Sequence, residues 1–211
     1  MSPRSKIGAV ILAAGSSSRF EQPKQLITFR AKSLVRRVID AALEAGCSPV
    51  VVVIGSESER IVGELQKTKA MSVENEDWQK GIGTSIRRGV QGLMNHASGS
   101  DAIVLLVCDQ PFVNAQTIRN LINLRDQTKK TIVASRYADT MGVPALFDRS
   151  LFEELLSLGD EAGAKSIILR SPQRVAECEF PEGAVDIDTR EDWEEFNEAE
   201  SSRRSEGRHT G

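Results

Sequence analysis

Three short stretches of the 211-residue chain carry side chains suited to phosphate chemistry. The first is Leu12-Ala-Ala-Gly-Ser-Ser-Ser-Arg19-Phe-Glu-Gln-Pro-Lys24-Gln-Leu26. Small residues from Ala13 to Ser18 let the backbone come close to a ligand, with N–H groups that can point at phosphate oxygens. Arg19 adds a bidentate fork and Lys24 a point charge. Without a ligand, the same stretch is a strand-to-helix loop with two solvated cations. The second is Val104-Leu-Leu-Val-Cys108-Asp109-Gln110-Pro111. An aspartate at the carboxyl end of a buried strand suits Mg²⁺, a hard cation that takes one or two carboxylates together with substrate phosphates. Pro111 ends the strand, and Asp109 without a metal is a turn or N-cap residue. The third, Val185-Asp186-Ile187-Asp188-Thr189, puts Asp186 and Asp188 on one face of an extended chain. Asp188 serves equally as the cap of a following helix.

Phosphate donors, a metal carboxylate and no histidine base suit nucleotidyl transfer. A phosphate nucleophile is already ionised and needs alignment rather than deprotonation. A metal and cations then stabilise the charge that develops on the α-phosphorus and on departing pyrophosphate. Only His96 and His209 are present, which argues against a His-dependent triad or a multi-His metal site. Two other phosphate loops fail. Gly159-Asp-Glu-Ala-Gly-Ala164-Lys165-Ser166 has alanine where a Walker A loop needs its second glycine, and it follows a helical pattern. Gly81-Ile-Gly83-Thr-Ser-Ile86 lacks the third glycine of a dinucleotide fingerprint, which leaves hydride transfer little support. Cys108 reads as an ordinary buried thiol. Trp78 either packs or stacks on a ring, and Asp160 either serves a ligand or caps the helix that follows it.

The elements that must position these groups alternate. Ile7 to Ala13, Val50 to Ile54 and Ala102 to Val107 are short apolar runs, the signature of strands buried on both faces, and Thr131 to Ala134 repeats it more weakly. Between them, Leu34, Val35, Val38, Ile39, Ala42 and Leu43 follow a Ser33 N-cap and end near Gly46. Ile82, Ile86, Val90 and Leu93 form a second helical stripe, and Ile118, Leu121, Ile122 and Leu124 form a third after Asn114. This is the pattern of a Rossmann-like, doubly wound α/β fold with a mostly parallel sheet, whose ligands bind beyond the carboxyl ends of the strands. From about 135 to 185 the pattern is less regular, predicting a small irregular lobe. Within it, Gly142 to Phe147 carries Pro144 and is expected as an edge strand, while Leu151 to Leu158 and Ala164 to Arg170 are helical. Thr189-Arg-Glu-Asp192 resembles a capping box opening a last helix through Trp193 and Phe196. Residues 1–196 are expected as one domain and the polar 197–211 as a frayed tail.

Composition narrows the partners. Lys and Arg number 27 against 30 Asp and Glu, a net charge of −3, which speaks against a broad footprint for nucleic acid or an anionic membrane. Any phosphate must be held by a local site. No apolar run approaches the roughly 18 residues of a membrane span, and no signal-peptide pattern opens the chain. Three cysteines without a C-x-x-C pair fit neither a disulfide scaffold nor a zinc finger, and a reduced, cytoplasmic setting is expected.

Taken together, the motifs resemble those of the MobA-like nucleotidyltransferases, and within them the molybdenum cofactor cytidylyltransferase branch. Leu12-Ala-Ala-Gly15 with Arg19 and Lys24 resembles the family signature. Asn75, Trp78, Gly81 and Ser85 fit an N-x-x-W-x-x-G-x-x-x-S segment, and Asp109-Gln110-Pro111 its metal motif. Gly142-Val-Pro144-Ala-Leu-Phe147 fits G-x-P-x-L-F, Gly159 to Lys165 is a variant of G-D-x-G-A-R, and Asp186-Ile-Asp188-Thr189 with Glu191-Asp192 resembles D-I-D-T-P-E-D. The ordered matches span residues 7 to 196.

The resemblance implies transfer of CMP from CTP to the terminal phosphate of molybdopterin, with Mg²⁺ and release of pyrophosphate. Leu12, Ala13, Ala14 and Gly15 would contact the nucleotide, and Arg19 and Lys24 its phosphates. Asp109 and Asp188 would hold the metal, with Asp186 an alternative to Asp188. Asn75, Gly81 and Ser85 would belong to the nucleotide or acceptor surface, while Gly142 to Leu146 and Asp160 to Lys165 would shape the acceptor side. Three departures stand out. Glu21 replaces a glycine beside the phosphate loop, Lys165 replaces an arginine and loses its bidentate contact, and Arg190 stands where proline is common. Two other readings stay open. One is guanylyl or other nucleotidyl transfer to a different phosphate acceptor. The other is a non-catalytic chaperone that delivers molybdenum cofactor to a partner such as a molybdenum hydroxylase apoenzyme.

Overall fold

A computed structural model of the chain describes residues 5–16, 20, 23–97 and 99–206, with 202–206 described by their backbone only. In chain order the elements are β1 (Ile7–Leu12), the hairpin β2 (Thr28–Phe29) and β3 (Lys32–Ser33), α1 (Leu34–Glu44), β4 (Val50–Ile54), α2 (Ser58–Leu65) and β5 (Met71–Glu74). They continue with α3 (Ile82–His96), β6 (Ala102–Val107), α4 (Ala115–Thr128), β7 (Ile132–Tyr137) and β8 (Thr140–Asp148). The last are α5 (Phe152–Leu156), α6 (Lys165–Arg170), β9 (Val175–Glu179) and α7 (Arg190–Glu206).

Seven strands form one sheet in the order β5-β4-β1-β6-β8-β7-β9. β1 lies in its interior, parallel to β4 on one side and to β6 on the other. The order reverses at β1, so the crevice beyond its carboxyl end is the place where this architecture takes a ligand. Both faces are covered. Ala9, Ile11, Val50, Val52, Val104 and Leu106 meet α1, α2 and α4 in one apolar cluster. Val10, Val51, Val53, Ile103 and Leu105 meet α3, α5 and α6 in another. Burial on two faces is why these strands read as unbroken apolar runs. The helix starts behave as their cap residues require: the Ser33 hydroxyl accepts from Arg36 N at 3.2 Å and the Asn114 carbonyl from Gln116 N at 2.8 Å.

α3 sits close on the sheet because glycine faces it. A Cβ at Gly89 would lie 2.3 Å from Val10 Cγ1 and 2.8 Å from Val53 Cγ2. This intimacy brings the helix start to the crevice.

Three expectations are corrected. β8 is not an edge strand; it lies between β6 and β7, antiparallel to both. Pro144 is accommodated because its pairing with β6 stops at Ala145, and on the other side the register jumps from Ala134↔Ala145 to Ser135↔Gly142. The proline therefore stands in a bulge where no ladder donor is required. The stretch expected as a small irregular lobe gives β7, β8 and β9 to the main sheet, and α5 and α6 cover one of its faces. The tail expected to fray from Asn197 is helical through Glu206. Phe196 and Glu200 on α7 are buried, and Arg30 ion-pairs with Glu200 at 2.6 Å. Residues 207–211 lie outside the described residues. No described helix is long and apolar enough to cross a membrane.

Candidate active site

The loop after β1 begins as an extension of the sheet, with Ala13 N donating to Val53 O at 2.9 Å. Gln25 then holds it from within. Its buried amide donates to Ala13 O at 3.2 Å and to Gly15 O at 2.8 Å, so the backbone at 13–15 has a fixed course. Pro23 precedes a short 3₁₀ turn, Lys24–Leu26, that aims Lys24 and Gln25 back toward β1. Sequence reading missed Gln25; the signal was an amide placed beside Lys24 in a turn begun by proline. Arg19 and Glu21 lie outside the described residues.

Across from this loop stands the start of α3. Gly81 has φ of 131°, and a Cβ there would lie 2.5 Å from Asp160 O, so glycine is required on both counts. The segment after α5 closes on this helix start. Asp160 O accepts from Gly83 N at 2.8 Å, and its carboxylate pairs with Arg87 at 2.5 Å. Asp160 therefore braces α3 and does not cap α6, whose N-cap residue Ala164 has no side-chain bond. Asn75, expected on the binding surface, is buried behind it. Its amide donates to Thr84 Oγ1 at 2.9 Å and Ser85 Oγ at 3.0 Å, leaving Ser85 as the group that meets the cleft.

Between the two sides lies a cleft of about 240 Å³. Leu12, Ala14, Gly15, Lys24, Gly81, Ser85 and Asp109 all line it, as do Gln25 and Trp78. Trp78 combines the two roles considered for it: it packs against Gly55, where a Cβ would come within 2.9 Å of its ring, and exposes part of itself to the cleft. Gly142 to Leu146, expected on the acceptor side, belong to β8 and all but Val143 are buried. Gln110 ties this strand to the site, donating to Val143 O and Gly183 O at 3.1 Å each.

At the mouth of the cleft the separate stretches converge. Lys24 Nζ lies 2.7 Å from Asp109 Oδ2 and 2.8 Å from Asp188 Oδ1. Burial alone lowers the Lys24 pKa, but Asp109 and then Asp188 outweigh it and hold the ammonium charged. Asp186 joins them: one oxygen each from Asp109, Asp186 and Asp188 lie within 4.8 Å of one another. The outer edge of Asp186 meets solvent. The protein packed around it, followed by the charges of Asp109 and Asp188, pushes its carboxyl up to about 7. Both candidates for the second carboxylate thus face Asp109. Three hard oxygen donors in this space suit a divalent cation such as Mg²⁺ or Mn²⁺, and the Lys24 ammonium occupies part of that position. Cys108 packs beneath, its thiol pushed up by burial and by Asp109, which removes it from nucleophilic chemistry.

A doubly wound sheet with a small-residue loop, a lysine and converging carboxylates at its switch point defines a nucleotide-handling protein of the transferase class. Residues 9–175 match the MobA-like NTP transferase domain, and the chain belongs to that family. It is 26% identical over 192 residues to nicotine blue oxidoreductase from Paenarthrobacter nicotinovorans, covering 87% of this chain and 92% of that protein. It is 29% identical over 165 residues to the bifunctional protein GlmU of Syntrophotalea carbinolica, of which it covers 34%. The crystal structure of Rv0371c from Mycobacterium tuberculosis H37Rv superposes with a TM-score of 0.75 at 28% identity, covering 92% of this chain and 98% of that one. A structure of Rv0371c complexed with manganese superposes with a TM-score of 0.71 at 27% identity. The family match ends before Asp186, Asp188 and α7.

Proposed function

We propose that the protein transfers CMP from CTP to the terminal phosphate of molybdopterin and releases pyrophosphate, with Mg²⁺ as its cation. The observation that carries the transfer chemistry is the meeting of Lys24 with Asp109 and Asp188 at the mouth of the cleft. Choice of base and acceptor rests on the ordered motif set in the sequence.

Ala14 and Gly15 leave room for the nucleotide backbone to approach, and Gln25 holds their peptide groups in place. Asp109, with Asp188 and Asp186, would hold the cation, which when bound polarises phosphate oxygens and offsets developing charge. Once a cation neutralises these carboxylates, Lys24 is available to a phosphate oxygen within the same few ångströms. Arg19 would add a bidentate contact by resemblance. Ser85 offers a hydroxyl on the opposite wall. No residue need remove a proton, since the acceptor phosphate is ionised at neutral pH.

Incubation with Mg²⁺, molybdopterin and CTP, GTP or ATP in turn tests this reading, with pyrophosphate and the dinucleotide product followed by mass. Product with CTP is expected. Product with GTP alone would reject the base assignment, and tight cofactor binding without turnover would favour the delivery chaperone. An oxidoreductase activity, the name carried by one relative, has little to recommend it in the cleft: the position of a fingerprint's third glycine is Ile86, fully buried in α3.

A further inference from the structure

Asp186 and Asp188 come from a segment that belongs to no strand or helix, lying between β9 and α7. Two ties hold it. On the inner side Ile187, fully buried, donates its N–H to Asp109 O at 3.1 Å and packs with Ile27, Phe29, Leu34 and Phe196. On the outer side the Asp192 carboxylate, in the first turn of α7, accepts from two successive amides through one oxygen: Asp188 N at 3.0 Å and Thr189 N at 2.7 Å.

A capping box accounts for only part of this. The box is the reciprocal pair formed by Thr189 N to Asp192 and by Asp192 N to Thr189 Oγ1 at 3.1 Å. The bond to Asp188 N lies outside it, and it falls on the backbone of the residue whose carboxylate reaches Lys24. Lys24 offsets the charge of Asp109 and Asp188 only from one side, and the segment that carries two of the three carboxylates has no sheet partner to fix where they point. The Asp192 carboxylate ties that segment's backbone from the side opposite Ile187.

We propose that Asp192 is a positioning residue for the cation site, fixing the backbone at Asp188 so that its carboxylate and that of Asp186 meet Asp109. The proposal rests on reading these three carboxylates as a cation site. It assigns α7, which lies beyond the family match, a part in metal binding as well as in packing.

The test measures Mn²⁺ binding to the nucleotide-free protein by electron paramagnetic resonance, with the melting temperature of the metal-free protein read alongside. Asp192→Ala should weaken Mn²⁺ by about tenfold or more, the range for a residue that orients a metal ligand from behind. Asp192→Asn keeps an acceptor oxygen for both amides without the charge and should bind Mn²⁺ close to the wild-type level. Thr189→Val breaks only the capping half of the arrangement and should leave Mn²⁺ binding unchanged while lowering the melting temperature. Equal weakening in Asp192→Ala and Thr189→Val would reduce Asp192 to a helix cap, and loss in Asp192→Asn as large as in Asp192→Ala would reduce it to a distant charge. Either result overturns the proposal. If wild type binds Mn²⁺ no better than Asp109→Ala, the cation reading itself fails and the proposal falls with it.

Discussion

The half of the sheet made by β5, β4, β1 and β6 and the half made by β8, β7 and β9 serve the cleft in different ways. In the first, every strand is parallel and each carboxyl end delivers a site element directly: the Ala13 to Gly15 loop after β1, Gly55 after β4, Asn75 after β5 and Asp109 after β6. In the second, one strand runs antiparallel and carries a bulge, and the contributions are indirect. Gln110 reaches over to Val143 O and Gly183 O, and the carboxylates Asp186 and Asp188 arrive on the connection to α7. In the proposed function the first half is the platform on which the nucleotide would rest. The second is a frame that brings charge to it from far along the chain, as the 164-residue separation of Lys24 and Asp188 illustrates.

Substitutions should separate the two roles. Asp109→Ala, at the junction of the halves, should reduce turnover by about 10³-fold, the upper end for loss of one electrostatic group, with the melting temperature little changed. Steady-state rates and a circular dichroism melt check this, and a parallel fall in both would make Asp109 a structural residue. Lys24→Met should lower turnover by about 10²-fold, yet tighten Mn²⁺ binding in the absence of nucleotide, because the ammonium that contacts Asp109 and Asp188 is gone. Weaker Mn²⁺ binding in that variant would remove the idea that lysine and cation share one position.

Stability should divide along the same line. Gly89→Ala forces a methyl into Val10 and Val53 on the packed platform and should cost about 1–3 kcal/mol in denaturant unfolding. At Gly142 on β8 the new methyl would meet the far end of Tyr137, at 2.3 Å from its hydroxyl, and a half-buried ring can swing aside. Gly142→Ala should therefore cost less. Equal costs would erase the distinction between platform and frame.

The mildest effect concerns pH. Asp186 takes up its proton near pH 7 in the folded, metal-free chain and near 3.8 when unconstrained. The folded state thus holds a proton that the unfolded state has lost between these values. The resulting stability is complete below 3.8 and is lost as pH rises through about 7. A cation must displace that proton, so Mn²⁺ affinity should fall as the pH drops below about 7, by at most about tenfold per unit for one proton. Titration calorimetry in buffers of different ionisation enthalpy reads the proton release directly.

The platform was legible in the sequence because its information is local. Apolar runs mark β1, β4 and β6, Ser33 and Asn114 cap the helices that follow, and Lys24 and Asp109 lie in recognisable loops. The frame was less so. Pro144 signalled an edge, whereas a bulge lets it stand inside the sheet. Asn75 carried the right motif but turns inward to fix Ser85, a choice made by the packing of α3. Whether Asp186 or Asp188 joins Asp109 could not be read from alternation, since both do, through a turn held by Ile187 and Asp192. The start of α7 was legible from its capping box and from Trp193 and Phe196, but its polar continuation, held by the Arg30–Glu200 pair, was not.

The central claim is that platform and frame meet at a single divalent cation. Mn²⁺ binding to wild type, Asp109→Ala and Asp188→Ala, measured by electron paramagnetic resonance on folded protein, tests it most directly. We expect one site in the wild type, lost or severely weakened in both variants alike. Retention of that site at wild-type affinity in either variant would contradict the claim.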